Sequence, residues 1–141
     1  MVRATAAVAN GGKLFTPTLV AGEVPSYTTV PVDASALAIV REGMRQGVTS
    51  ALSQAINFPY VSAAAKTGTA QTGNHNQYDN SWVEGFFPYD HPKYAFVVVL
   101  ERGPQGMGEE AVNVMQQLFL SLHAENSPYV GGTATSTSIA L

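Results

Sequence analysis

The chain has 141 residues, 45% of them hydrophobic and only 12% charged, with a formal net charge of −3 and no cysteine. That length supports one domain with a real core, and the acidic balance offers no footprint for nucleic acid. Without cysteine there is no disulfide frame, thiolate catalysis or cysteine-type zinc site, and no apolar run approaches the length of a membrane span.

Residues 2–10 are alanine-rich and unbroken, and Gly11-Gly12 supply a stop, which predicts a short helix. They lack the basic start, apolar centre and cleavage site of a signal peptide, so any export signal is expected outside them. The following "KLFTPTLVAGEVPSYTTVP" carries three prolines and reads as an extended loop with short strands. Asp33 suits the N-cap of a second helix reaching about Val48, with Leu37, Val40, Met44 and Val48 as its buried stripe. A strand from Val61 to about Thr72 comes next, then a polar loop "NHNQYDN" and a second strand "SWVEGFFPY". After the tight connection "DHP", "KYAFVVVLERG" is the third strand, and its unbroken apolar run predicts burial on both faces. Short loops between the three predict an antiparallel meander. From Glu109 a helix is expected, presenting Val112, Met115, Leu118, Phe119 and Leu122 to the sheet, with Glu109 and Glu110 in its first turn. From Ser127 the composition falls to low complexity and predicts a mobile tail.

The stretch with chemistry in it is "AAAKTGTAQTG", residues 63–73. One reading is an edge strand with a solvated lysine. A phosphate-binding loop is excluded, because no glycine precedes Lys66 at the required spacing. The aspartyl-phosphate chemistry of P-type ATPases is excluded too, since Ala65 stands where the nucleophilic aspartate would be. A third reading is that the stretch resembles the Lys-Thr-Gly strand of penicillin-recognising serine acyltransferases. An edge strand has free backbone donors and acceptors for an extended peptide. Gly68 would let that peptide approach closely, and Lys66 would supply positive potential for a carboxylate.

The order "ANGG", helix, "AAAKTGTAQTG", polar loop, "SWVEGFFP", "PKYAFVVVLERG" and final helix resembles the second half of a class B penicillin-binding protein transpeptidase domain, over roughly residues 1–125. The resemblance implies an α+β fold: a fragment of the transpeptidase/β-lactamase-like fold, with a three-stranded antiparallel meander, flanking helices and its N-terminal strands missing. Residues 1–126 would be the domain part and 127–141 a disordered tail. It implies catalytic roles for Lys66, Thr67 and Gly68. Thr69 would add an oxyanion-hole amide and a hydroxyl for the substrate carboxylate, and Gln71 would line the outer substrate strand. Ala65 departs from the glycine of many relatives, while Trp82 and Phe86 read as packing residues.

The family attacks D-Ala-D-Ala peptides with a serine three residues before a lysine. Here the residues three before Lys13, Lys66 and Lys93 are Asn10, Ala63 and Asp90, and no serine has an asparagine two positions on. The chain is therefore expected to carry the substrate strand of a peptidoglycan D,D-transpeptidase without its nucleophile, and to be inactive alone. The alternative is a non-catalytic peptide-docking or β-lactam-sensor module of the same fold. The resemblance implies stem peptides and β-lactams as partners, no metal or organic cofactor, and a place on the outer face of the cytoplasmic membrane through an anchor outside this chain. The third strand is expected to lack its neighbours, and so to pair with the N-terminal half of the domain or with another copy. His75, His91 and His123 lack ligand spacing, and Asp79 and Glu84 are expected to be solvated.

Overall fold

A computed structural model describes residues 1–106 and 110–131. The first helix, α1 (Val2–Ala9), ends at Asn10, and Gly11 and Gly12 turn the chain at positive φ into a short ladder. That ladder pairs β1 (Lys13–Phe15) with β2 (Tyr27–Thr29), so the proline-rich stretch does contain short strands. Helix α2 (Ala34–Ser50) follows, with Asp33 at its N-cap position, although the Asp33 side chain makes no capping bond. The sheet is then built from β3 (Ala64–Thr72), β4 (Tyr78–Phe87) and β5 (Tyr94–Pro104), and α3 (Glu110–Ala124) closes over it. Strand order is β3-β4-β5, antiparallel throughout, which is the expected meander.

Period-two alternation in β4 divides the molecule. Ser81, Val83, Gly85 and Phe87 face one way, toward a core of Val48, Ile56, Ala65, Val112, Met115 and Phe119. Phe119 is fully buried and meets the rings of Phe58, Phe87 and Phe96 edge-on at 6.5, 5.0 and 6.3 Å. Trp82, Glu84 and Phe86 face the other way. Phe86 joins a smaller cluster with Ala9, Met44 and Ala64, beneath α1 and α2.

Two glycines permit close approach. A Cβ on Gly85 would lie 2.2 Å from the Ala64 carbonyl oxygen and 2.7 Å from the Phe96 ring. One on Gly47 would lie 2.6 Å from the Ala65 carbonyl oxygen, so α2 rests directly on the backbone of β3. Arginines tie the same parts together. Arg45 donates to the Ala63 carbonyl at 2.7 Å, and Arg41 donates to the carbonyls of Ala9 and Tyr89. The Tyr89 hydroxyl donates to Glu42 at 2.9 Å, and that bond, with burial, holds it above the usual tyrosine pKa.

Several sequence expectations need correction. Tyr78, Asp79 and Asn80 are not loop but the start of β4, because the ladder runs without a break up to the Thr72–Tyr78 pair. Asp79 is not solvated: it is 4% exposed and accepts from the Gly106 backbone N–H at 2.7 Å. Val61 precedes β3 and makes only an isolated bridge to Phe58. In the α2 stripe, Met44 and Val48 are buried but Val40 is 48% exposed, because it borders a cleft that nothing in the described residues fills. Leu118 is likewise exposed on α3. Strand β5 is at the edge of the described sheet, as expected for a strand that lacks its neighbours, and its apolar run is half-buried rather than buried on both faces. Ser127 caps a 3-10 turn over Pro128–Val130, and Val130 is buried, so packing continues past residue 126. Glu109 and residues 132–141 lie outside the described residues.

Candidate functional site

Among the described residues strand β3 pairs only with β4, so its other side is a free edge there. In an antiparallel strand the N–H and C=O of one residue point the same way, and successive residues alternate. The Ala64 carbonyl points at Gly85 on β4, while that of Ala65 points at Gly47 on α2. It follows that Thr67 and Thr69, two and four residues beyond Ala65, direct their backbone groups to the free edge. Helix α2 covers the edge at Ala65; beyond it Gly68, Thr69, Ala70 and Gln71 are exposed.

Side chains alternate across the sheet in the other sense. Lys66 and Gly68 stand directly opposite Glu84 and Trp82. Thr67 and Thr69 stand opposite Val83 and Ser81, on the face that carries α3. The lysine and the two threonine hydroxyls are therefore on opposite faces of one edge, and a cleft of about 260 Å3 wraps that edge. Residues 66–70, Met1, Trp82 and Glu84 line it. Lys66 Nζ donates to the Thr67 carbonyl at 2.6 Å, toward the free edge. A second cleft of about 510 Å3 continues beneath it between α1 and α2, bordered by Val8, Val40, Met44, Lys66 and Glu84.

Lys66, Thr67, Gly68 and Thr69 are contiguous in β3 and all border this cleft, the lysine on one face of the strand and the threonine side chains on the other. Gln71 is not among the lining residues; it lies exposed farther along β3, opposite Asp79. Phe86 is a packing residue, whereas Trp82 is half-buried and borders the cleft. Two features were missed from sequence. Glu84 is not solvated but half-buried at the cleft wall, and the Thr5 hydroxyl, 4% exposed, donates to its Oε2 at 2.7 Å. The signal was the ladder register, which the short Gly73–Gln77 turn fixes.

A free edge with outward backbone groups, a cation and a bare glycine has the chemistry to pair with an extended, carboxylate-bearing chain. The family model for the penicillin binding protein transpeptidase domain matches residues 1–120, so the chain belongs to that family. Solved structures agree in fold. The D,D-transpeptidase domain of a peptidoglycan glycosyltransferase from Eggerthella lenta is 24% identical with a TM-score of 0.67, over 88% of this chain and 31% of that one. Penicillin-binding protein A from M. tuberculosis, as a ceftriaxone acyl-enzyme complex, is 25% identical with a TM-score of 0.71, over 82% and 29%. Penicillin-binding protein 2B from Streptococcus pneumoniae is 19% identical with a TM-score of 0.71, over 87% and 24%. The chain spans less than a third of the length of each of these three. No curated protein matches it. No described helix is long and apolar enough to cross a membrane.

Proposed function

We propose that this chain is the substrate-strand portion of a class B peptidoglycan D,D-transpeptidase, corresponding to the second half of the catalytic domain. The observation that carries this is the placement of Lys66, Thr67, Gly68 and Thr69 on an open strand edge. In this reading the terminal carboxylate of a D-Ala-D-Ala stem peptide or of a β-lactam lies off the strand edge, where Lys66 would reach it from one face and the hydroxyls of Thr67 and Thr69 from the other. The peptide backbone would pair with the outward groups of Thr67 and Thr69, and Gly68 would admit it. The Thr69 N–H would stabilise the oxyanion of the acyl-transfer step, and Gln71 would guide a longer substrate. No step on these residues calls for a metal or organic cofactor. The whole enzyme would act on the outer face of the cytoplasmic membrane, held by a segment outside this chain.

The serine nucleophile is the missing part: the sequence contains neither Ser-x-x-Lys nor Ser-x-Asn. That absence also supports a second reading, a non-catalytic peptide-docking or β-lactam-sensor module. Both readings expect no mass increase after incubation with a fluorescent penicillin, and a covalent adduct on this chain would overturn the missing-nucleophile claim. Docking is read from backbone amide shifts. An N-acetylated D-Ala-D-Ala peptide is expected to move the amides of Thr67–Ala70, and Lys66→Ala to weaken that response about tenfold or more, as for loss of a charged partner. An unchanged response in the variant would remove Lys66 from the site.

The edge of β5 and the cleft bordered by Val40 fit the expected partner, the N-terminal half of the domain or a second copy. An unpaired strand edge with half-buried apolar residues favours association. Sedimentation of the chain alone is expected to show concentration-dependent oligomers; a monodisperse monomer would count against this.

A further inference from the structure

We propose that Glu84 makes the Lys66 cleft selective for ligands that carry a cation beside their carboxylate, an inference that rests on Lys66 being a carboxylate-docking residue. Directly paired residues of an antiparallel ladder hold their Cβ atoms about 4.5–5.5 Å apart, so the Glu84 carboxylate stands next to the stem of Lys66. It is held there from behind: Thr5, a buried residue of α1, donates its hydroxyl to Oε2. Oε1 accepts no hydrogen bond from any described residue. The lysine ammonium is turned the other way, onto the Thr67 carbonyl. The two charges therefore stand as separate features of one cleft wall instead of closing on each other as an ion pair.

Trp82 completes the arrangement. It lies two residues from Glu84 on the same face, and its cross-strand neighbour is Gly68, which has no side chain to cover it. A carboxylate beside an aromatic ring is a favourable seat for an ammonium group. A ligand carrying only a carboxylate meets attraction from Lys66 and repulsion from Glu84. A ligand with an ammonium one residue away from its carboxylate satisfies both.

The test compares D-alanyl-D-alanine bearing a free amino group with its N-acetylated form, using amide-shift titrations of the whole chain. The wild-type chain is expected to bind the free dipeptide about fivefold more tightly, the factor that a unit charge about 4 Å away exerts in water. Glu84→Gln keeps the size of the side chain and an acceptor for Thr5, and is expected to abolish or invert the preference by strengthening the acetylated ligand. An equal preference in both proteins, or a wild-type preference for the acetylated form, overturns the proposal. Should neither dipeptide shift the Thr67–Ala70 amides in either protein, the docking reading of Lys66 falls, and the selectivity with it. Should the variant fail to fold, the wild-type ratio is read at low and high salt. A charge-based preference shrinks as screening increases, and one that stays constant overturns the assignment to Glu84.

Discussion

Phe119→Ala is expected to lower the stability of the chain by about 3–5 kcal/mol, the range for truncating a buried aromatic. The ring is fully buried at the centre of the larger core and meets Phe58, Phe87 and Phe96 edge-on. These three come from the segment before β3, from β4 and from β5, so one side chain of α3 joins three parts of the chain. Neighbours held in strands cannot move in to fill the space, which places the cost toward the upper end of the range. Domains of this size are stable by only about 5–15 kcal/mol. The variant is therefore expected to unfold at much lower urea, read by fluorescence and circular dichroism together. A midpoint within experimental error of wild type would show that α3 does not hold the sheet.

Gly85→Ala is the second large effect, and it acts by overfilling. The added carbon would sit 2.2 Å from a backbone oxygen of β3 and 2.7 Å from the Phe96 ring on β5. The ring can turn, but the Ala64 carbonyl belongs to the ladder and can give way only if β3 and β4 separate locally. Overpacking commonly costs about 1–3 kcal/mol, and a backbone collision belongs at the high end or above. The loss should be accompanied by faster hydrogen exchange at the Ala64–Phe86 and Ala65–Gly85 pairs. Normal protection there would show that the strands absorb a methyl group.

The element order was legible in the sequence because hydrophobic spacing is set by local geometry. Met44 and Val48 recur at one helical turn and are buried as expected, and the antiparallel meander follows from loops too short for a crossover. Val40 shares the same spacing yet is exposed, since periodicity reports which face is apolar and not whether anything covers it. Strand β5 is the related case: its unbroken apolar run suits a central strand, and its place at the sheet edge, with one neighbour among the described residues, is what the expected loss of the N-terminal strands leaves. At the site, Lys66, Thr67, Gly68 and Thr69 were visible because they are contiguous. Glu84 and Trp82 were not, because their place beside the lysine depends on pairing between strands. The short Gly73–Gln77 turn, which closes the ladder at the Thr72–Tyr78 pair, sets that pairing.

The contact between Gly47 and the Ala65 carbonyl has a mechanical meaning. Between most helices and sheets lies a layer of side chains that can re-pack and absorb small shifts. Here backbone meets backbone, one residue before the lysine. Any tilt imposed on α2 from its exposed side, where Ile39 faces outward, would pass to the free edge of β3 with little loss. The position of the free edge at Thr67 and Thr69 is therefore gauged by the seat of a helix, and whatever comes to rest on that helix also sets that edge.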